Sequence, residues 1–395
     1  MTMHPAKGPL TGLRIVESTA FIAAPLATMS LAQLGAEVTR LDPPEGGLDY
    51  RRWPLAPSGA SLYWTMLNRG KGSVTLDLRT ASGRQAAADM ICDDEPGDGR
   101  DGAQGGGIFV TNLPTRDMLT PQALLGRRPD AIVVTLDGSP DGTSAIDYTV
   151  HAACGAAMMT GPEDRHDPVN NAVPFWDVIA GRTLAMGILA AALERQRTGK
   201  GQHIALSLSD VAMETMANVG ILAETELTGT PRPRQGNWVY GSFGRDFATR
   251  CGRWFMVVAV TRKQWRALVA ATGLDSKMSA LAASNGRDLD DEHVRYDLQA
   301  QVGAHLQVWA GQRDLNQIAA AFSETSVCWS PYRDTAQMLA EDARASDANP
   351  MFTRQTHPGV PEVLTPRSPL RLSNHPQLAP GRAPSLNGAS NWEKT

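Results

Sequence analysis

Short apolar runs rich in β-branched residues recur along the first third of the chain, at Leu13–Val16, Glu37–Leu41, Ser73–Leu78, Ile108–Thr111 and Ala131–Leu136. Their length and near-continuous apolarity suit strands buried on both faces, so the pattern predicts five strands. Between several of them the period changes, and Pro25–Leu34 and Ser82–Ile91 place alanine, leucine and methionine at helical spacing. Strands alternating with helices point to βαβ units around a mostly parallel sheet, a Rossmann-like α/β architecture.

Further along, Val178–Leu193 is apolar on nearly every face and turns polar at Glu194–Arg197 before Gly199. This predicts a buried helix that stops at a glycine. His203–Leu208 alternates like a strand, and Val211–Leu227 returns to a helical period. The proline and arginine stretch from Gly229 to Gln235 reads as a linker, and Trp254–Val260 opens a new strand pattern. The expected organisation is a large Rossmann-like domain beginning with residues 1–228, a smaller α/β domain at 229–329, and a return to the large domain at 330–395. The acidic, glycine-rich Asp93–Gly107 is expected to be a surface loop, and the proline-rich C-terminal tail to wrap the surface or stay unpacked.

With 395 residues, 42% of them hydrophobic, the chain can bury a sizeable core. Lysine and arginine total 37 against 41 acidic residues, so there is no basic field of the kind that draws nucleic acid. Cys92, Cys154, Cys251 and Cys328 lack the close pairing of a zinc or redox motif and read as structural thiols in a reducing compartment. The N-terminus lacks a signal-peptide apolar core, and the most apolar stretch, Leu184–Leu193, is too short to span a bilayer. The expectation is a soluble, cytoplasmic protein with no membrane partner.

A dinucleotide fold would carry Gly-x-Gly-x-x-Gly after the first strand, but Ser18–Pro25 contains no glycine. HisGluxxHis, paired CysxxCys, a Walker loop and GlyxSerxGly are also missing, so no metal and no resident cofactor are expected. What remains is Asp177, after a proline and two aromatics and directly before the apolar helix. An aspartate there is a favoured N-cap, because its side chain accepts hydrogen bonds from free backbone amides. The same place suits a partly desolvated carboxylate beside backbone donors, able to attack a thioester without a separate base. The residues alone leave both roles open. A helix dipole contributes only about 0.3–1 kcal/mol, and free aspartate is already ionised at neutral pH, so activation must come from desolvation and positioning.

The motifs GlyLeuArgIleValGlu (12–17), LeuAlaGlnLeuGlyAlaGluVal (31–38), GlyLysGlySerValThrLeuAspLeu (70–78), MetThrGlyPro (159–162) and ArgThrGlyLysGlyGln (197–202) stand in the order found in class III CoA-transferases. The chain resembles that family over nearly its whole length. Three longer motifs, GlyGlyLeuAspTyrArgArgTrpPro (46–54), ProPheTrpAspValIleAlaGly (174–181) and ProArgGlnGlyAsnTrpValTyrGlySerPheGlyArgAspPhe (233–247), resemble a branch that moves CoA between the two carboxylates of mesaconate.

The resemblance implies an interlocked homodimer, an acyl-CoA substrate with coenzyme A present only as part of it, and covalent catalysis by Asp177 through an anhydride and an aspartyl-CoA thioester. Transfer from an acyl-CoA to a separate free acid is the alternative. The resemblance also implies CoA contacts at Arg40, Leu76, Arg79, Asn112 and Leu113, and an acyl pocket at Trp53, Tyr63 and Asp147. Arg51, Arg52 and Arg245 are candidates for a distal carboxylate.

Three departures accompany the likeness. Gln235–Asn237 has fewer glycines than the family's active-site loop, and the helical segment that follows in relatives is missing beyond Asn387. Ile146 stands where the racemase branch carries a histidine, so racemisation is not expected. His151, alone between apolar stretches, reads as a satisfied core residue.

Overall fold

All five apolar runs and the alternating run after them join one six-stranded parallel sheet in the computed structural model, which describes residues 8–93 and 106–388. In chain order the elements are β1 (Arg14–Ser18), α1 (Ala23–Ala32), β2 (Glu37–Asp42), α2 (Leu62–Leu67), β3 (Gly72–Thr75), α3 (Ala81–Cys92), β4 (Ile108–Thr111), α4 (Pro121–Arg127), β5 (Ile132–Asp137), α5 (Asp147–Ala153), α6 (Ala156–Met159), α7 (Phe175–Thr198) and β6 (Gln202–Ser207). The strand order is β3-β2-β1-β4-β5-β6. The order reverses between β1 and β4, and at such a point the loops leaving the two strands diverge and open a crevice at their carboxyl ends. Ile108, Val110, Ile132 and Val134 are fully buried, as strands covered on both faces must be.

The chain forms two compact units. The first comprises, within the described residues, 8–154, 171–223 and 343–388; the second comprises 155–170 and 224–342. The second unit is thus wider than the 229–329 marked by linker signals, and it includes a short excursion through α6. Its core is a three-stranded antiparallel sheet of β7 (Phe243–Ala248), β8 (Trp254–Ala259) and β9 (Cys328–Pro331), filled by Phe243, Phe247, Phe255, Trp309 and Phe322. Most of the Asp93–Gly107 loop, residues 94–105, lies outside the described residues, as do the chain's first seven and last seven.

The helical period at Val211–Leu227 resolves into two helices, α8 (Leu208–Asn218) and α9 (Ile221–Thr228). Gly220 between them adopts a φ of +80°, which no helix interior tolerates.

The apolar helix ends at Gly199 in the left-handed conformation, as its sequence predicts, but it begins earlier than expected. Its N-cap position is Pro174, and Asp177 is its third residue. Only one face is covered: Ala180, Leu184, Ile188 and Ala191 are buried, whereas Met186 and Leu193 are 65% and 62% exposed. With 24 residues it is also, among the described residues, the one helix long and apolar enough to cross a membrane, a property core helices share.

Gly181 lets α1 and α7 approach closely: a Cβ there would stand 2.7 Å from the Ala23 carbonyl oxygen. That contact lies one turn after Asp177. Gly181→Ala must therefore push the two helices apart, and we expect a loss of about 1–3 kcal/mol in urea unfolding despite alanine's better helix propensity.

Candidate active site

The first turn of α7 presents backbone amides with no partner inside the helix. Asp147, the first residue of α5 and only 2% exposed, supplies one from outside: its Oδ2 accepts the Asp177 N–H at 3.1 Å. The Trp176 amide also stabilises the same carboxylate. Asp147 thus caps α7 from another helix. Asp177 does not cap it, which corrects the N-cap reading, and the backbone donors expected beside Asp177 are engaged by Asp147 instead.

The Asp177 carboxylate is left half-buried, with no hydrogen bond from any described residue. Desolvation first, then the like charge of Asp147, raises its pKa to about 6. Burial also raises Asp147, against the pull of the two amides. At neutral pH Asp177 is still mostly ionised, but as a bare and basic carboxylate.

One turn further along α5, His151 is 1% exposed, and its Nδ1 faces the Trp176 indole N–H at 3.3 Å and the Asn171 amide at 3.3 Å. It is a partnered core residue that fixes Trp176 next to Asp177. Tyr63, on α2, lies close enough to Asp177 to feel its charge. Burial pushes its phenol well above the ordinary tyrosine range, with Arg52 opposing and Asp177 and Asp49 adding to the effect. The phenol therefore stays protonated and can donate to a developing oxyanion.

The turn from β1 to α1, without glycine, is held by polar side chains. Asn112 clamps Ala20 from both sides, accepting its N–H at 2.9 Å and donating to its carbonyl at 2.8 Å. Arg40 donates to the Thr19 carbonyl at 3.0 Å and to Glu17 and Asn68 at 2.8 Å each. Its remaining nitrogen bonds Asp42 at 3.3 Å, and its plane lies 4.4 Å from the Trp64 ring centroid. Lys71 completes the cluster, 2.8 Å from Glu17. Burial would raise Glu17, but Lys71 and Arg40 outweigh it and hold it below the usual carboxylate range. Burial brings Lys71 down to about 8.

These contacts engage two residues carried over from the resemblance. Arg40 is 1% exposed with all three guanidinium nitrogens engaged, and the Asn112 amide is bonded to backbone, so both shape the turn from below. Leu76, Arg79 and Leu113 instead line a cavity of about 430 Å³ at the carboxyl ends of β1 to β4, together with Ser18–Ala20 and Phe109. Two further cations on its wall escaped the sequence reading, Arg84 and Arg116. Arg84 pairs with Asp117 at 2.9 Å, Arg116 donates to the Arg79 carbonyl at 3.1 Å, and Arg79 pairs with Asp77 at 2.8 Å. Their place in the first turn of α3 and the loop after β4 was the available signal, since such loop ends line switch-point crevices. Arginines there suit phosphate oxygens by charge and by fork geometry.

Trp53 is not drawn into this constellation, its indole being 76% exposed. Gln235 belongs to the second unit, where its amide meets the Tyr296 hydroxyl.

A parallel sheet with an arginine-lined switch-point cavity that also carries Asp42, Glu45 and Asp77, and a helix-start carboxylate with no bond from a described residue, suits an enzyme of acyl transfer that handles a phosphorylated carrier. The chain belongs to CoA-transferase family III, whose model matches residues 10–390. It is 43% identical to 2-methylfumaryl-CoA isomerase of Chloroflexus aurantiacus over 96% of this chain and 91% of that one. It is 26% identical to succinyl-CoA:mesaconate CoA-transferase of Haloarcula hispanica, over 96% and 94% of the two chains. A solved CAIB/BAIF family protein from Brucella suis superposes with a TM-score of 0.76 at 25% identity, covering 97% of each chain.

Two substitutions test the electrostatics. A carboxyl raised to about 6 makes the folded state bind a proton more tightly than the unfolded chain does, so its ionisation weakens the fold as pH rises from about 4 to 6. Asp177→Asn should therefore unfold at higher denaturant than the native protein at pH 8, and the gain should vanish near pH 4. Asp147→Asn keeps an acceptor for the α7 amides but removes the neighbouring charge. The acid limb of kcat/KM should then move to lower pH, by roughly half to one unit.

Proposed function

We propose that this chain moves coenzyme A between the C1 and C4 carboxylates of mesaconate, converting 2-methylfumaryl-CoA to 3-methylfumaryl-CoA. The observation that carries the reading is the 43% identity to 2-methylfumaryl-CoA isomerase along 96% of the chain. The unbonded Asp177 supplies the chemistry that reading needs.

In this mechanism the Asp177 carboxylate attacks the C1 thioester carbonyl, forming a mixed anhydride and expelling CoA thiolate. The thiolate attacks the Asp177 carbonyl of the anhydride, which gives an aspartyl-CoA thioester and free mesaconate. The C4 carboxylate then attacks that thioester, and the returning thiolate cleaves the second anhydride on the mesaconyl side. Asp177 is regenerated as a carboxylate, and no proton or electron is gained or lost. Substrate and product are thioesters of similar energy, so positioning and charge stabilisation supply the catalysis. Tyr63 is the proposed donor to the oxyanion, a role supported by its protonated phenol near Asp177. Leu76, Arg79, Leu113, Arg84 and Arg116 are the side chains proposed to hold the CoA moiety. We further propose a cytoplasmic enzyme working as an interlocked homodimer, with gel filtration reading the assembly.

Intermolecular transfer to a free acid is the second reading, favoured by the likeness to succinyl-CoA:mesaconate CoA-transferase. Enzyme incubated with mesaconyl-CoA and quenched rapidly should yield a peptide carrying a hydroxylamine-sensitive adduct at Asp177. Asp177→Asn should lose the adduct and at least about 10³-fold in kcat. With labelled free mesaconate present, little label should enter the product ester; full equilibration of the label would favour the intermolecular enzyme.

A further inference from the structure

Phe21 stands in the β1–α1 turn with a φ of +64°, a left-handed conformation that a bulky side chain seldom adopts. Such strain persists only where its surroundings enforce it, and here the Asn112 clamp on Ala20 and the Arg40 bond to Thr19 hold the two preceding residues. The result is a ring that remains 38% exposed and faces a cation: the Arg52 guanidinium lies 5.3 Å from the Phe21 ring centroid. The same guanidinium lies 5.3 Å from the ring of Tyr63, whose phenol feels the charge of Asp177.

Arg52 is anchored at its backbone as well. Its N–H donates to the Asp49 carbonyl at 3.1 Å, and its carbonyl accepts from Ser61 Oγ at 2.6 Å. Ser61 is the N-cap of α2, the helix that carries Tyr63. Two rings therefore fix the cation's position, and no carboxylate of the described residues lies within ion-pair distance of it. The other two candidates are placed differently. Arg245 stacks on Trp238 at 4.5 Å and lies 3.8 Å from the Asp246 carboxylate, and Arg51 lines a separate cavity with Ser58 and Pro358.

We infer that Arg52, held between Phe21 and Tyr63, is the specificity-determining residue that binds the substrate carboxylate remote from the thioester. The inference rests on the mesaconate reading and sharpens it. The guanidinium also bonds the Tyr63 hydroxyl, and its remaining N–H donors are left to hold a carboxylate, so an acyl group without that charge would leave them unfilled. The same arginine would retain the freed diacid between the two half-reactions.

The test compares mesaconyl-CoA with tiglyl-CoA, which replaces the distal carboxylate by a methyl group, and follows the rate of aspartyl-CoA formation at Asp177. This half-reaction releases one carboxylate from either ester, so both can be followed alike. The native enzyme should favour mesaconyl-CoA by about 10- to 100-fold, the range expected for a hydrogen-bonded charge. Arg52→Ala should erase that preference by slowing mesaconyl-CoA alone, and Arg52→Lys, which keeps the charge without the fork, should fall between. If Arg52→Ala does not fold, the ratio measured with Arg52→Lys decides: an undiminished preference overturns the inference. An equal loss with both esters in either folded variant, or equal capture of both esters by the native enzyme, also overturns it while leaving the mesaconate reading standing. Capture of neither ester by the native enzyme overturns that reading itself.

Discussion

The site depends on who receives the amides at the start of α7. A helix N-terminus is a strong donor array, and the nearest carboxylate would normally occupy it. Here Asp147, thirty positions earlier on α5, takes the Asp177 N–H, so the Asp177 carboxylate projects without a bond from any described residue. A carboxylate that accepts several amides is acidic and poorly nucleophilic; one desolvated beside a like charge is the reverse. The fold thus uses one aspartate to satisfy the helix and leaves the other unbonded by any described residue.

A second constraint lies beneath the β1–α1 turn. Dinucleotide folds use glycines there, but this chain builds the turn on buried charges, with Glu17 and Asp42 facing Arg40 and Lys71. Two acids and two bases cancel, which makes burial of all four tolerable only while each keeps its partners. The absence of glycine between Ser18 and Pro25 argues against a dinucleotide. It could not reveal what replaced the glycines, because the partners come from β2, α2 and the start of β3.

The same reasoning separates what the sequence made legible from what it did not. The parallel sheet could be read, since buried strands advertise themselves as continuous apolar runs, and so could the stop at Gly199. Asp177 was legible as a residue but not in its bonding, since the α5–α7 contact joins segments with no shared pattern. Arg40 is a CoA contact only by the family resemblance, and its burial among acids is not legible in the sequence. Its acids are spread along β1 and β2, and only the sheet register brings them together. The path of residues 155–170 into the second unit carries no turn signal that distinguishes it from an ordinary loop.

Phe21 answers to two demands at once. Glycine would adopt its backbone conformation without strain, so a drift to glycine would be welcomed by the folding equilibrium. That drift would also delete the aromatic platform on which the neighbouring cation rests. Relief of backbone strain and preservation of that platform thus make opposite demands on a single position.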